Sequence, residues 1–65
     1  MKNKMRAERL AHNLSQTELA EKVKVSRQTI HFIETAKYIP STELALRFSK
    51  VFDKSVNELF WLEEY

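Results

Sequence analysis

The sequence predicts an all-α fold, a compact five-helix bundle, on three observations. Four serine-led starts, each opening an apolar pattern with helical spacing, punctuate the 65 residues. No segment alternates apolar and polar residues for long enough to suggest a sheet. Glycine is absent and Pro40 is the single proline, so helix ends have to be read from caps. A chain this short buries only about 60% of its unfolded surface. Without a cysteine for a disulfide, its stability must come from tight helical packing or self-association.

Helix 1 is expected from about Asn3 to His12. Helix 2 opens at Ser15-Gln-Thr-Glu18 and helix 5 at Ser55-Val-Asn-Glu58. Both fit the capping box, in which the serine hydroxyl accepts from an orphan backbone N–H and the glutamate reaches back to the serine N–H. Ser26 and Ser41 or Thr42 are plainer caps for helices 3 and 4. The predicted core is Leu19, Ala20 and Val23 on helix 2, Ile30 and Ile33 on helix 3, Leu44, Ala45, Phe48, Val51 and Phe52 on helix 4, and Val56, Leu59 and Phe60 from helix 5. Leu14 and Val25 stand just ahead of helices 2 and 3, where a staple residue packs back on the helix that follows. Leu62 is also assigned to the core. With no glycine, left-handed turn positions fall to Asn13 and Asp53, which tolerate them, and to Lys24 and Ala36, which do so at about 1 kcal/mol each.

Charge and composition narrow the function classes. Residues 1 to 37 carry eight Lys/Arg against four Asp/Glu, and residues 38 to 65 carry three against five. A basic N-terminal half suits a polyanion, although a solvated face would look the same. His12 and His31 form no metal-ligand pair, so no metal or other cofactor is expected. An enzyme is disfavoured because nothing suggests a concave site holding a nucleophile, a base and an orienting group. No apolar run reaches the length of a membrane span, and the first residues lead into no signal-peptide core, so a cytoplasmic protein is expected.

Helices 2 and 3 are separated by Lys24 and Val25 alone. So short a connection cannot lay two helices antiparallel with both faces packed, and a steep crossing is predicted, the geometry of a helix-turn-helix. Helix 3, residues 26–34, then turns Ile30 and Ile33 inward and Arg27, Gln28, His31 and Phe32 mostly outward, with Thr29 near the edge. A helix about 10–12 Å across fits a B-DNA major groove of about the same width. Gln28 can pair with adenine, Arg27 can fork onto guanine or reach a phosphate, and Thr29 and Phe32 can touch a thymine methyl. Gln16 and Thr17, at the start of helix 2, would lie over the DNA backbone. No acidic residue occurs from Lys22 through Ile33.

Ser15-Gln-Thr-Glu-Leu-Ala-Glu-Lys-Val, Val25-Ser-Arg-Gln-Thr-Ile, Ile33-Glu34, Lys37-Tyr38, Pro40-Ser41 and Glu43-Leu-Ala-Leu resemble the DNA-binding domains of phage repressors, Cro and the short Xre-type regulators of prokaryotes. The resemblance covers about residues 3 to 62. It implies a lambda-repressor-like fold and binding to a double-stranded DNA operator in transcription regulation, by a protein of prokaryotic or phage origin. It also implies base reading by Arg27, Gln28 and Phe32, phosphate contacts from Gln16, Thr35 and Lys37, and a structural ion pair between Arg9 and Glu34. Ser26 and a protonated His31 are further phosphate candidates. The sequence departs from the family at Thr35-Ala36, where Asn-Gly is usual, and at Glu8, often a leucine.

Two readings of the C-terminus stay open. Trp61 and Tyr65, four apart on any helical continuation, could form a homodimer interface, or the tail could fold back over its own core. The whole chain, residues 1–65, is read as a single helix-turn-helix domain without a small-molecule ligand. The alternative function is a protein-interaction module on the same scaffold, antitoxin-like or a co-regulator, with the C-terminal aromatic surface binding a partner.

Overall fold

A computed structural model describes residues 1–63. The elements run β1 (Lys2–Asn3), α1 (Met5–Ala11), α2 (Gln16–Val23), α3 (Arg27–Glu34), α4 (Thr42–Phe52), α5 (Val56–Leu59) and β2 (Phe60–Trp61). The five expected helices are present, and the serine caps open four of them. Ser15 and Ser55 each form the complete reciprocal box with Glu18 and Glu58, while Ser26 and Ser41 accept from Thr29 N–H and Leu44 N–H. The choice between Ser41 and Thr42 falls to Ser41.

Two expectations are corrected. Helix 1 begins at Met5, not Asn3, and the fold carries a short ribbon: β1 pairs antiparallel with β2, Lys2 opposite Trp61 and Asn3 opposite Phe60. Asn3 is the reason. Its carboxamide oxygen accepts from Met5 N–H at 3.0 Å, opening α1 in place of a serine, and its amide donates to the Ile33 carbonyl at 3.0 Å. Lys4 N–H then donates to the Leu59 carbonyl at 2.9 Å, which fixes the start of α1 to the end of α5.

The core lies between α1, α2, α3, α4 and α5. Met5, Leu19, Val23, Ile30, Phe48 and Leu59 are fully sealed, and removing Phe48 or Leu59 to alanine would cost about 2–5 kcal/mol. Leu14, Val25, Val51 and Val56 are half-buried against that cluster. Leu62 is 53% exposed and is not a core residue, because α5 ends at Leu59 and the extended backbone at Phe60 carries Leu62 outward. The four residues expected to be left-handed are so: φ is 58° at Asn13, 64° at Lys24, 62° at Ala36 and 54° at Asp53. Each closes a helix without glycine, and the non-Asx pair does so against a Cβ clash. No helix among the described residues is long and apolar enough to cross a membrane.

Candidate nucleic-acid interface

The sequence Gln16 to Glu34 folds into two short helices because each has its own cap and its own apolar stripe, with only Lys24-Val25-Ser26 between them. The left-handed Lys24 ends α2, and its N–H returns to the Ala20 carbonyl. Val25 N–H bonds the same carbonyl at 3.0 Å, and Ser26 at once caps α3. From α4, Arg47 donates to the Val23 carbonyl at 3.0 Å, satisfying an end of α2 that would otherwise lack a donor.

On α3, burial of Ile30 and Ile33 leaves Arg27, Gln28, His31 and Phe32 exposed. Phe32 is 39% exposed, so it belongs to the outer surface and not to the core. Thr29 is half-buried, and its hydroxyl lies 2.9 Å from Ser26 Oγ within the cap. At the other end, Thr35 Oγ1 donates to the His31 carbonyl at 3.0 Å, and Lys37 N–H donates to the Phe32 carbonyl at 2.8 Å around the left-handed Ala36. The turn leaves the Thr35 and Lys37 side chains exposed beside the end of α3. Thr17 is exposed at the head of α2.

Electrostatics keep this surface free of negative charge along α3. Its one carboxylate, Glu34, has a side chain only 3% exposed and receives a bidentate guanidinium: Arg9 Nε donates to Oε2 at 2.6 Å and Arg9 Nη2 to Oε1 at 3.2 Å. Arg9 Nη1 also donates to the Leu14 carbonyl at 2.9 Å, so one side chain joins α1, the α1–α2 connection and α3. Leaving either charge buried without the other would cost about 3–5 kcal/mol. Gln16 extends the cluster, with Nε2 3.1 Å from Glu34 Oε1 and 3.4 Å from His31 Nδ1. The Gln16 contact was invisible to sequence reasoning, since no local pattern links residues eighteen apart. Glu8, the departure from the family pattern, is accommodated at the edge of α1, where its carboxylate lies 3.8 Å from Lys54 Nζ.

Trp61 is 37% exposed but lies on β2, not on a helix, so the expected helical spacing to Tyr65 does not hold at its start; Tyr65 lies outside the described residues. A second apolar opening lies elsewhere. Ile39, Pro40, Leu46, Val56 and Phe60 line a groove of about 210 Å³, with Ile39 65% and Leu46 57% exposed. The signal for it was present in the sequence: Ile39 and Leu46 fall outside the periodic core face and are still aliphatic.

Two capped helices joined by a three-residue turn, the second with a polar outer face, define a helix-turn-helix unit. The helix-turn-helix family profile matches residues 5–59. An uncharacterized HTH-type transcriptional regulator of Methanocaldococcus jannaschii is 47% identical over 64 residues, 98% of this chain and 97% of the relative. One of Bacillus subtilis is 45% identical with the same coverage, and one of Archaeoglobus fulgidus is 39% identical over 98% of this chain and 91% of its own length. The chain belongs to the helix-turn-helix family of transcriptional regulators, a family of DNA-binding and not of enzymatic proteins.

Proposed function

We propose that this chain, acting as one domain over residues 1–65, binds specific double-stranded DNA and regulates transcription from an operator. The observation that carries the reading is the outer face of α3, which offers Arg27, Gln28 and Phe32 while its only carboxylate is buried and neutralised. In this reading Arg27, Gln28, the Thr29 methyl and Phe32 meet base edges in the major groove. Gln16, Thr17, Ser26, His31, Thr35 and Lys37 meet backbone phosphates on either side, which sets register without reading sequence. The protein works in the cytoplasm without cofactor or small-molecule ligand.

It acts as a homodimer, since two-fold pairing matches half-sites about 34 Å apart. The second copy is assigned to the groove of Ile39, Pro40 and Leu46. Ile39 and Pro40 lie on the stretch of chain that joins α3 to α4, so the groove borders the end of α3 in sequence. The molecule is 32 Å in its longest dimension, which lets two abutting copies span adjacent major grooves.

The test is duplex binding by fluorescence anisotropy, using a site recovered by selection from a random library. Gln28→Ala should lose about 1–3 kcal/mol on that site and little on unrelated DNA. Equal losses on both remove Gln28 from base reading. The logarithm of affinity should fall with the logarithm of salt by about 0.9 per phosphate contact. Salt-independent binding, or none, would favour the protein-interaction alternative.

A further inference from the structure

The Gln16 amide is shared. Its nitrogen donates to Glu34 Oε1, 3.1 Å away, and lies 3.4 Å from His31 Nδ1. Glu34 is itself held from behind by Arg9, so its oxygen is a fixed anchor. His31 is exposed, so its hold on the amide can be released. A primary amide has two hydrogens to donate, and both are engaged when the imidazole is neutral with its proton on Nε2, leaving Nδ1 as an acceptor. Such a Gln16 has no donor left for a phosphate.

We propose that His31 and Gln16 form one proton-linked phosphate site, deepening the DNA-binding reading and resting on it. Protonation of His31 turns Nδ1 from acceptor into donor. It breaks the contact to Gln16 Nε2, frees one amide N–H and adds a positive charge beside it. Both changes favour an anion at the same place, and a bound phosphate in turn favours the protonated imidazole. The surrounding charges do not oppose this. From α2 the group facing His31 is the uncharged Gln16; on its own helix Arg27 lies one turn earlier and Glu34 lies three residues on, neutralised by Arg9 of α1. Lys37 follows in the next turn. The sign follows from linkage: a proton taken up on binding makes affinity rise as pH falls.

The measurement is anisotropy with a fluorescein-labelled duplex of arbitrary sequence, because phosphate contacts are independent of sequence. Ionic strength is held low and constant while pH is lowered from about 8 to about 5.5, and salt is then titrated separately at each end of that range. Wild type should gain about tenfold in affinity, the size of one charge-assisted hydrogen bond. The logarithmic salt slope should steepen by about 0.9, one more phosphate contact. His31→Asn should remove the pH response, and His12→Asn, altering the other histidine, should leave it intact. Gln16→Ala should shrink it while retaining the charge effect of His31. A His31→Asn variant with the wild-type pH profile, or a Gln16→Ala variant with an undiminished one, overturns the proton link and leaves DNA binding standing. Failure of wild type to bind any duplex at any pH overturns the DNA-binding reading itself.

Discussion

The outer face of α3 and the groove beside α4 are both left open to solvent by one small core, yet their chemistry is opposite. The first presents a guanidinium, an amide, an imidazole and a single aromatic ring; the second presents Ile39, Pro40 and Leu46. A surface that has to recognise many positions of a polar partner needs hydrogen-bonding groups held at fixed spacing, and a rigid capped helix supplies them. An apolar surface suits a partner that covers it with close shape complementarity inside a polar rim, the kind of contact the proposed second copy would make. The difference teaches that partner chemistry can be read from what a minimal core leaves uncovered.

The largest expected effect breaks both surfaces together. Arg9→Met leaves Glu34 buried and unpaired at the joint of α1 and α3, and should lower unfolding stability by about 3–5 kcal/mol in urea titration. A loss below about 1 kcal/mol would mean that Glu34 reaches solvent in the variant, so that α3 is not seated by the pair. Separating the surfaces comes next. Leu46→Asp should weaken self-association at least tenfold, about 1.4 kcal/mol, in sedimentation equilibrium while leaving the circular dichroism spectrum unchanged. Gln28→Ala should do the converse, losing cognate affinity with the association constant intact. If Leu46→Asp self-associates like wild type, the groove is not where copies meet.

A smaller change sharpens the contrast at the turns between helices. Ala36→Gly relieves the left-handed Cβ clash just past the end of α3, set against the greater freedom of glycine in the unfolded chain. A net gain of about 0.5–1 kcal/mol and a higher Tm are expected. Asp53→Gly, at the α4 end, should gain less, because an aspartate tolerates that conformation. Equal gains would show that side-chain type does not set the strain. The smallest effect concerns acid. Hydrogen bonds from the backbone and hydroxyl of Ser15 hold the Glu18 carboxyl below its ordinary value, and Ser55 does the same to Glu58. Folded values lowered in this way give stability that is complete above the ordinary carboxylate value and is lost as pH falls through the lowered one. Glu18→Gln and Glu58→Gln should each flatten that acid-side decline in a thermal-melt series; an unchanged decline would mean that the boxes do not couple to folding.

Much of this was legible because it is local. The four serine caps, the inward pair Ile30 and Ile33, and all four left-handed turns follow from residue types within a few positions of one another. The Arg9–Glu34 contact was reachable only through family resemblance, since nothing in either neighbourhood points to the other. Asn3 and the ribbon were not legible at all: a two-residue strand has no period, and its partner lies at the far end of the chain. Met5 escaped the core assignment for a related reason: it is the one buried apolar residue of α1, whose Leu10 faces solvent and whose other buried residue, Arg9, is charged. Leu62 was misplaced because helical spacing was continued past Leu59, where the backbone turns extended.

The ribbon of Lys2–Asn3 against Phe60–Trp61 has a mechanical consequence. Both ends of the described chain leave from the same side of it, with the Met1 amino group 3.8 Å from Glu63. A force applied to the two ends would therefore peel its hydrogen bonds apart one after another, not load them in parallel. Stretching in an optical trap should open α1 and α5 at low tension, well before the paired helices that carry the polar face let go.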